Sequence, residues 1–108
     1  MKKLTEVAKR MLLIKVMDND AHIAFSEFTM EWYVHTGIDI GGDGFLISTC
    51  GRGETPDAAV DAAFDQLTQV GGDQFLVSRY CGERRHWRWN GVAFQEQMGT
   101  YRKETTNV

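Results

Sequence analysis

Residues 55–70 read TPDAAVDAAFDQLTQV, and this stretch decides the fold. Thr55 carries a hydroxyl that can cap the first amides of a helix, and Pro56 suits the first helical position because an N–H is not needed there. Apolar residues recur three and four positions apart, as on the buried side of a helix: Ala59, Val60, Ala63, Phe64, Leu67 and Val70. Asp57, Asp61 and Asp65 share the opposite side, which we interpret as solvated. The pattern predicts an amphipathic helix that ends at Gly71 and Gly72.

Strand patterns lie on both sides of this helix. Before it, residues 28–36 (FTMEWYVHT) alternate between apolar and polar, and residues 45–50 (FLISTC) follow a glycine-rich turn. After it, the sequence predicts three strands joined by short turns, over residues 74–81, 84–89 and 92–97. Asn90-Gly91 before the last strand is a strong hairpin signal, because both residues tolerate a positive φ.

This order predicts the α+β class: an antiparallel β-sheet (meander, helix, meander) with one main helix packed on one face. The N-terminal spacing of Leu4, Val7, Ala8, Met11 and Leu12 indicates either a short helix or a docked arm. Because the other sheet face has no helix to cover it, we expect a homodimer or a higher homo-oligomer.

Length and composition predict one small domain over residues 1–108, since 108 residues with 43% apolar content form a single modest core. Apolar runs are too short for a membrane span, and charges interrupt the basic start where a secretory signal would be apolar. Cys50 and Cys81 lack metal or redox spacing and are expected to be reduced thiols. We therefore expect a cytoplasmic protein with no membrane partner and no cofactor.

The charge distribution is uneven. Residues 1–27 carry five Lys/Arg and four Asp/Glu, residues 28–73 carry one and eight, and residues 74–108 carry six and three. The pI near 5.5 argues against a nucleic-acid partner, because binding to a phosphate backbone needs a broad basic surface. A small anionic ligand held by a few arginines fits this charge.

Residues 50–56 (CGRGETP) place Arg52 between two glycines just before the predicted helix. Backbone amides and the positive end of the helix dipole favour anions at such a position, and a guanidinium adds a bidentate donor. For the motif alone, an ordinary strand-to-helix turn with a solvated arginine is the simpler explanation.

Residues 84–91 (RRHWRWNG) combine arginines with tryptophans. Strand alternation puts Arg84, His86 and Arg88 on one side and Arg85, Trp87 and Trp89 on the other. Guanidinium groups bind phosphate and aromatic rings stack on bases, so Arg88 and its neighbours are candidate nucleotide contacts. The tryptophans alone are better explained as core. Asn90 is foremost a turn residue, and its amide could also pair with a base edge.

Catalysis has little support in the sequence. His22, His35 and His86 share no short motif with a nucleophile, and we interpret each as a surface imidazole. We therefore expect a binding protein and not an enzyme.

The segments GRGETPDAAVDAAFDQL, RWNG and GTYR together resemble the phage family of Thoeris anti-defence sponges. The resemblance covers roughly residues 28–102. It implies a sponge that sequesters a cyclic nucleotide immune signal, a cyclic ADP-ribose isomer, without cleaving it, in the cytoplasm of the host cell. It further implies a pocket between subunits, formed by Arg52, Tyr80, Asn90 and Arg102.

Two alternatives from other classes remain open. Residues 43–67 are also similar to the antitoxin domain of a toxin–antitoxin pair, and a strand followed by a helix is similar to a double-stranded RNA-binding module. Either would make the protein an interaction module. The acidic start of the helix, ETPDAAVDAAFD, argues against the RNA-binding interpretation because it repels phosphate backbones.

Overall fold

The computed structural model of the protein describes residues 5–42, 44–80 and 83–97. Within these ranges lie helices α1 (Glu6–Met17) and α2 (Pro56–Thr68) and the strands β1 (His22–Ser26), β2 (Glu31–His35), β3 (Asp39–Gly42), β4 (Phe45–Ser48), β5 (Gly51–Gly53), β6 (Phe75–Tyr80), β7 (Glu83–Trp89) and β8 (Phe94–Glu96). Neighbouring strands pair antiparallel throughout. The predicted α+β class is confirmed.

The strands form two sheets that share one long bent hairpin. The first sheet has the order β1-β2-β5 and the second has the order β4-β3-β6-β7-β8. Strands β2 and β3 run along one arm of the hairpin, and β4 and β5 run back along the other. The arms bend at Thr49, whose Oγ1 donates to the Ile38 carbonyl at 2.6 Å and lies 3.1 Å from Oγ1 of Thr36. The predicted antiparallel sheet is therefore divided in two at this bend.

Helix α2 packs directly onto the backbone of β5, and two glycines make this possible. A Cβ added at Gly51 would lie 2.5 Å from the Cβ of Ala63, and a Cβ added at Gly53 would lie 2.5 Å from the Cβ of Ala58. Such distances are well inside van der Waals contact, so no larger residue fits either position without moving the helix. The small residues of α2 are matched to the glycines of β5.

Helix α1 belongs to the core of the domain. Ile14 and Met17 are buried, and they join α2 and both sheets in one cluster with Val34, Ile38, Ala59, Val60, Ala63, Leu67, Leu76, Trp87 and Phe94. Arg10 of α1 forms an ion pair with Asp61 of α2, and its guanidinium lies 5.6 Å from the centroid of the Phe64 ring. The sequence left a short helix and a docked arm open, and the structure has the helix. Asp61 is an ion-pair partner and not a purely solvated residue.

The helices lie against one face of the two sheets. On that side Trp87 is buried and donates its indole N–H to Ser78 Oγ at 2.8 Å, and Trp89 packs on Phe64 of α2. The tryptophans are therefore core residues, as the sequence favoured. We call the opposite face of both sheets the outer surface; strand alternation and register place His35, Asp39, Arg52, Arg79, Arg84 and Arg88 on it.

The strand predicted over residues 28–36 begins three residues later than expected. Met30 has a φ of 57°, and its N–H donates to the Ser26 carbonyl at 2.8 Å, so a tight turn takes up residues 26–30. Phe28, at 101% relative exposure, lies on this turn and not in a strand. Strands β1 and β5 were not predicted, because β1 follows a polar loop and the glycines of β5 indicated a turn. Within the described residues, no helix is long and apolar enough to cross a membrane.

Candidate functional site

Arg52 is exposed at the centre of β5 and points away from α2. It lies directly opposite Tyr33 of β2 on the outer surface. Its guanidinium forms no hydrogen bond or ion pair with another residue in the part of the chain that the structure describes. This arginine is therefore available to a ligand or to a second protein chain.

Part of the sequence motif that indicated an anion site around Arg52 is explained by the fold. The two flanking glycines are required by the close approach of α2, as described above. At the helix start, Thr55 Oγ1 accepts a hydrogen bond from Ala58 N at 3.1 Å, which is the predicted cap. The exposed Arg52 guanidinium of this motif is available for binding an anion.

Arg88 and Asn90 lie together at the end of β7. Arg88 donates from Nη2 to the Gly72 carbonyl at 3.0 Å. Asn90 Oδ1 accepts from the backbone amides of Val92 and Ala93, both at 2.8 Å. The predicted turn role of Asn90 is confirmed, and the group it still offers to a ligand is its amide Nδ2.

Tyr80 and Arg102 are the other two candidates. Tyr80 is the last residue of β6 and is paired with Glu83 of β7. Arg102 lies outside the described residues.

One protomer does not bring Arg52 and Asn90 together. Asn90 lies at the sheet end where Gly42 pairs with Phe45, whereas Arg52 is seven residues further along the β4–β5 arm. At about 3.3 Å per residue, the seven residue steps from Phe45 to Arg52 span at most roughly 23 Å along the arm. The bend at Thr49 shortens this span. Arg88 and Asn90 form one end of the outer surface, and Arg52 forms the other.

A pair of arginines lies between these two ends, and only Arg84 of the pair was among the neighbours of Arg88 considered from the sequence. Arg79 of β6 and Arg84 of β7 lie directly opposite each other, and both are exposed. Within the described residues neither side chain has a hydrogen-bond or ion-pair partner. Strand alternation within residues 74–81 and within residues 84–89 could have indicated that Arg79 and Arg84 share a face. The register of the hairpin was needed to place them opposite each other.

The histidines differ from the sequence expectation at one position. His22 and His35 are exposed, as expected, and their rings stack with centroids 5.3 Å apart. His86 was interpreted as a surface imidazole, and this was wrong. It is only 4% exposed, and its ring stacks on Phe75 at a centroid distance of 4.5 Å.

A polar cavity of about 570 Å³ lies where the outer surfaces of the two sheets meet. It is lined by His22 and His35 from the first sheet, by Asp39, Ser48 and Arg79 from the second, and by Asp18, Asp20, Thr36 and Gly37 from the connecting segments. The cavity is open to solvent and not enclosed, and its volume lies in the range of small-molecule sites. Arg52, Arg88 and Asn90 do not line it. In the described ranges no group of three or more His, Cys, Asp and Glu side chains has the arrangement of a metal site.

No protein-family model matches this chain, and no curated protein and no solved structure resembles it significantly. The assignment of a function therefore depends on the residues of this chain itself.

Proposed function

We propose that this protein is a non-catalytic sponge that binds and sequesters a cyclic nucleotide of the cyclic ADP-ribose class. The observation that carries the proposal is the placement of Arg52 and Arg88 on the same outer surface, with the Arg52 guanidinium free of protein partners. Guanidinium groups bind phosphate oxygens through two parallel charge-assisted hydrogen bonds, which suits the pyrophosphate of such a ligand.

The ligand site is completed by a second copy of the chain. Arg52 lies at one end of the outer surface, and Arg88 and Asn90 lie at the other. In a two-fold symmetric dimer, each contact that one copy makes with its partner is repeated by the partner. If two outer surfaces meet head to tail, Arg52 of each copy faces Arg88 and Asn90 of the other, and two equivalent sites result.

Three of the candidate residues have a chemical role in this arrangement. Arg52 and Arg88 bind the phosphates, and Asn90 donates from Nδ2 to the base or a ribose hydroxyl, because its Oδ1 is already used by the turn. The resemblance to the sponge family also implies a stacking role for Tyr80 and a further cation at Arg102. In the β6–β7 register Tyr80 alternates with Arg79, so the arrangement on the outer surface does not include it.

Titration calorimetry with a cyclic ADP-ribose isomer, followed by mass spectrometry of the heated complex, tests the proposal. We expect tight binding and recovery of intact ligand. In Arg52→Ala the affinity should fall by about 2 kcal/mol, roughly thirtyfold, because a desolvated charge-assisted hydrogen bond is lost. Lys9→Ala is the matched control, since this exposed lysine lies on α1, on the opposite side of the domain.

Asn90→Asp provides a second variant with an intact turn. Asp keeps an oxygen to accept from Val92 N and Ala93 N, but it lacks the Nδ2 donor and adds a negative charge. We expect unchanged stability and weaker binding. Recovery of cleaved ligand would identify an enzyme instead, and equal affinities of the wild type and the Arg52 variant would remove Arg52 from the site.

A further inference from the structure

The polar cavity between the sheets brings together opposite charges that do not pair. Asp39 of β3 lies opposite Val77, and Arg79 is two residues further along β6 on the same face. Diagonal neighbours of this kind are about 7–8 Å apart between Cα atoms. Both side chains line the cavity, yet they form no ion pair within the described residues. A carboxylate and a guanidinium therefore face the same space, each with free hydrogen-bonding capacity.

A second arginine lies next to the basic wall of this cavity, although it does not line the cavity itself. Arg84 lies directly opposite Arg79 across the β6–β7 ladder. Like charges at directly opposite positions destabilise a sheet unless something compensates them. Among the described residues no carboxylate pairs with either arginine, so an external anion is the compensation that this pair lacks.

The remaining wall offers polar groups and two rings. Ser48 and Thr36 contribute hydroxyls, and the stacked imidazoles of His22 and His35 form a flat side. The Asp18 carboxylate is already engaged, since Oδ2 accepts from Gly37 N at 2.7 Å and Oδ1 accepts from Asp20 N at 3.0 Å. Asp39 is thus a carboxylate that can accept from a ligand.

The charges of the cavity also indicate which anions it rejects. Three aspartates line it against one arginine, with Arg84 adjacent. A bare anion meets this negative charge without compensation, whereas a ligand that also carries hydroxyls can donate hydrogen bonds to the carboxylates. A ligand that carries an anionic group and hydroxyls a short distance apart therefore fits this lining.

We propose that this cavity is a binding site for a phosphorylated ribose compound, separate from the site that contains Arg52 and Asn90. Arg79 and Arg84 bind the phosphate, Asp39 accepts from the ribose hydroxyls, and an attached ring packs on His22 and His35. The ligand class follows from the proposed function, whose nucleotide contains phosphorylated ribose, but the residues of the cavity are different ones.

In the experiment the full chain is titrated with 5′-AMP, and binding is measured by calorimetry and from the shifts of backbone amide NMR signals. Adenosine lacks the phosphate and inorganic phosphate lacks the hydroxyls, so both should bind at least about tenfold more weakly than 5′-AMP. The amide shifts should cluster at residues 35–39, 48 and 77–79. Equal affinity of adenosine and 5′-AMP, or shifts confined to the region of Arg52 or Asn90, would overturn the proposal, as would no binding of 5′-AMP.

Three variants separate this site from the one proposed above. Arg79→Ala and Asp39→Asn should each weaken 5′-AMP binding about tenfold, while Arg52→Ala should leave it unchanged. Asp65→Asn is the control for Asp39→Asn, because Asp65 is exposed on α2, away from the outer surface. The reverse pattern, with loss in Arg52→Ala and none in Arg79→Ala, would overturn the cavity site. Binding of 5′-AMP in the cavity without binding of any cyclic ADP-ribose isomer would overturn the sponge function and leave the cavity site standing.

Discussion

At the residue scale, Gly51 and Arg52 show how one short motif divides between packing and binding. Successive residues of a strand point to opposite faces. Gly51 therefore faces α2, where it leaves room for the helix backbone, and Arg52 faces the outer surface. The glycines are needed by the fold, and the arginine between them is free for function. Substitutions at the two positions should consequently have different effects.

Gly51→Ala should destabilise the domain strongly. The added Cβ would lie 2.5 Å from the Cβ of Ala63 and would also meet the backbone of α2, so the helix must shift. We expect the free energy of unfolding in urea to fall by about 3 kcal/mol, the upper part of the range for overpacked sites. Gly71→Ala is the control, because a Cβ there meets nothing within 4 Å. Equal stabilities of the two variants would show that α2 does not depend on the glycines of β5.

At the element scale, α1 is an integral part of the core. Ile14 is 0% exposed in the cluster that joins both helices and both sheets, whereas Leu12 on the same helix is 50% exposed. Ile14→Ala should lower the free energy of unfolding by about 2–5 kcal/mol, because it removes buried methyl groups and leaves a cavity. Leu12→Ala should cost well under 1 kcal/mol, since exposed positions contribute little. Urea denaturation measures both; a small effect at Ile14 would mean that α1 is only loosely docked.

The elements that could be predicted from the sequence are those with local signals. Helix α2 has its cap, its proline and its apolar stripe within sixteen residues, and the structure confirms each of them. Strand β5 lacks such signals, because its glycines are explained only by a helix that follows it in sequence and packs back onto it. The turn before β2 was missed for a similar reason. Ser26 closes it through hydrogen bonds to Thr29 N and Met30 N, without the glycine or proline that normally marks a turn.

At the scale of the whole molecule, the sites depend on contacts between distant segments. Arg52 and Arg88 were named from sequence motifs, and the structure places both on the outer surface, at opposite ends. The cavity residues His22, Asp39 and Arg79 carry no common motif, since they come from β1, β3 and β6. Only the division into two sheets at the Thr49 bend brings these strands to one space. Local sequence patterns cannot indicate that residues of these three strands line one cavity.

The proposed dimer leads to a prediction about the outer surface. If two outer surfaces meet head to tail, Arg52 and Arg88 lie at the ends of the interface. The Arg79–Arg84 pairs of both copies then lie towards its middle. Without an anion these arginines repel one another, and an anionic ligand bound between the copies removes the repulsion. Because a ligand that binds only the dimer stabilises it by mass action, dimerisation should increase with ligand concentration.

Light scattering with and without a cyclic ADP-ribose isomer tests this coupling. We expect the mass to rise to that of two chains when the ligand is in excess over the protein, and Arg52→Ala should need a higher ligand concentration to reach it. Lys9→Ala, altered on α1, should behave as the wild type. Raising the salt concentration without ligand should also favour the dimer, because ions screen exposed charges beyond about 10 Å at 0.1 M. A mass of one chain at saturating ligand would contradict a site shared by two copies and would leave the cavity of a single protomer as the place where a nucleotide binds.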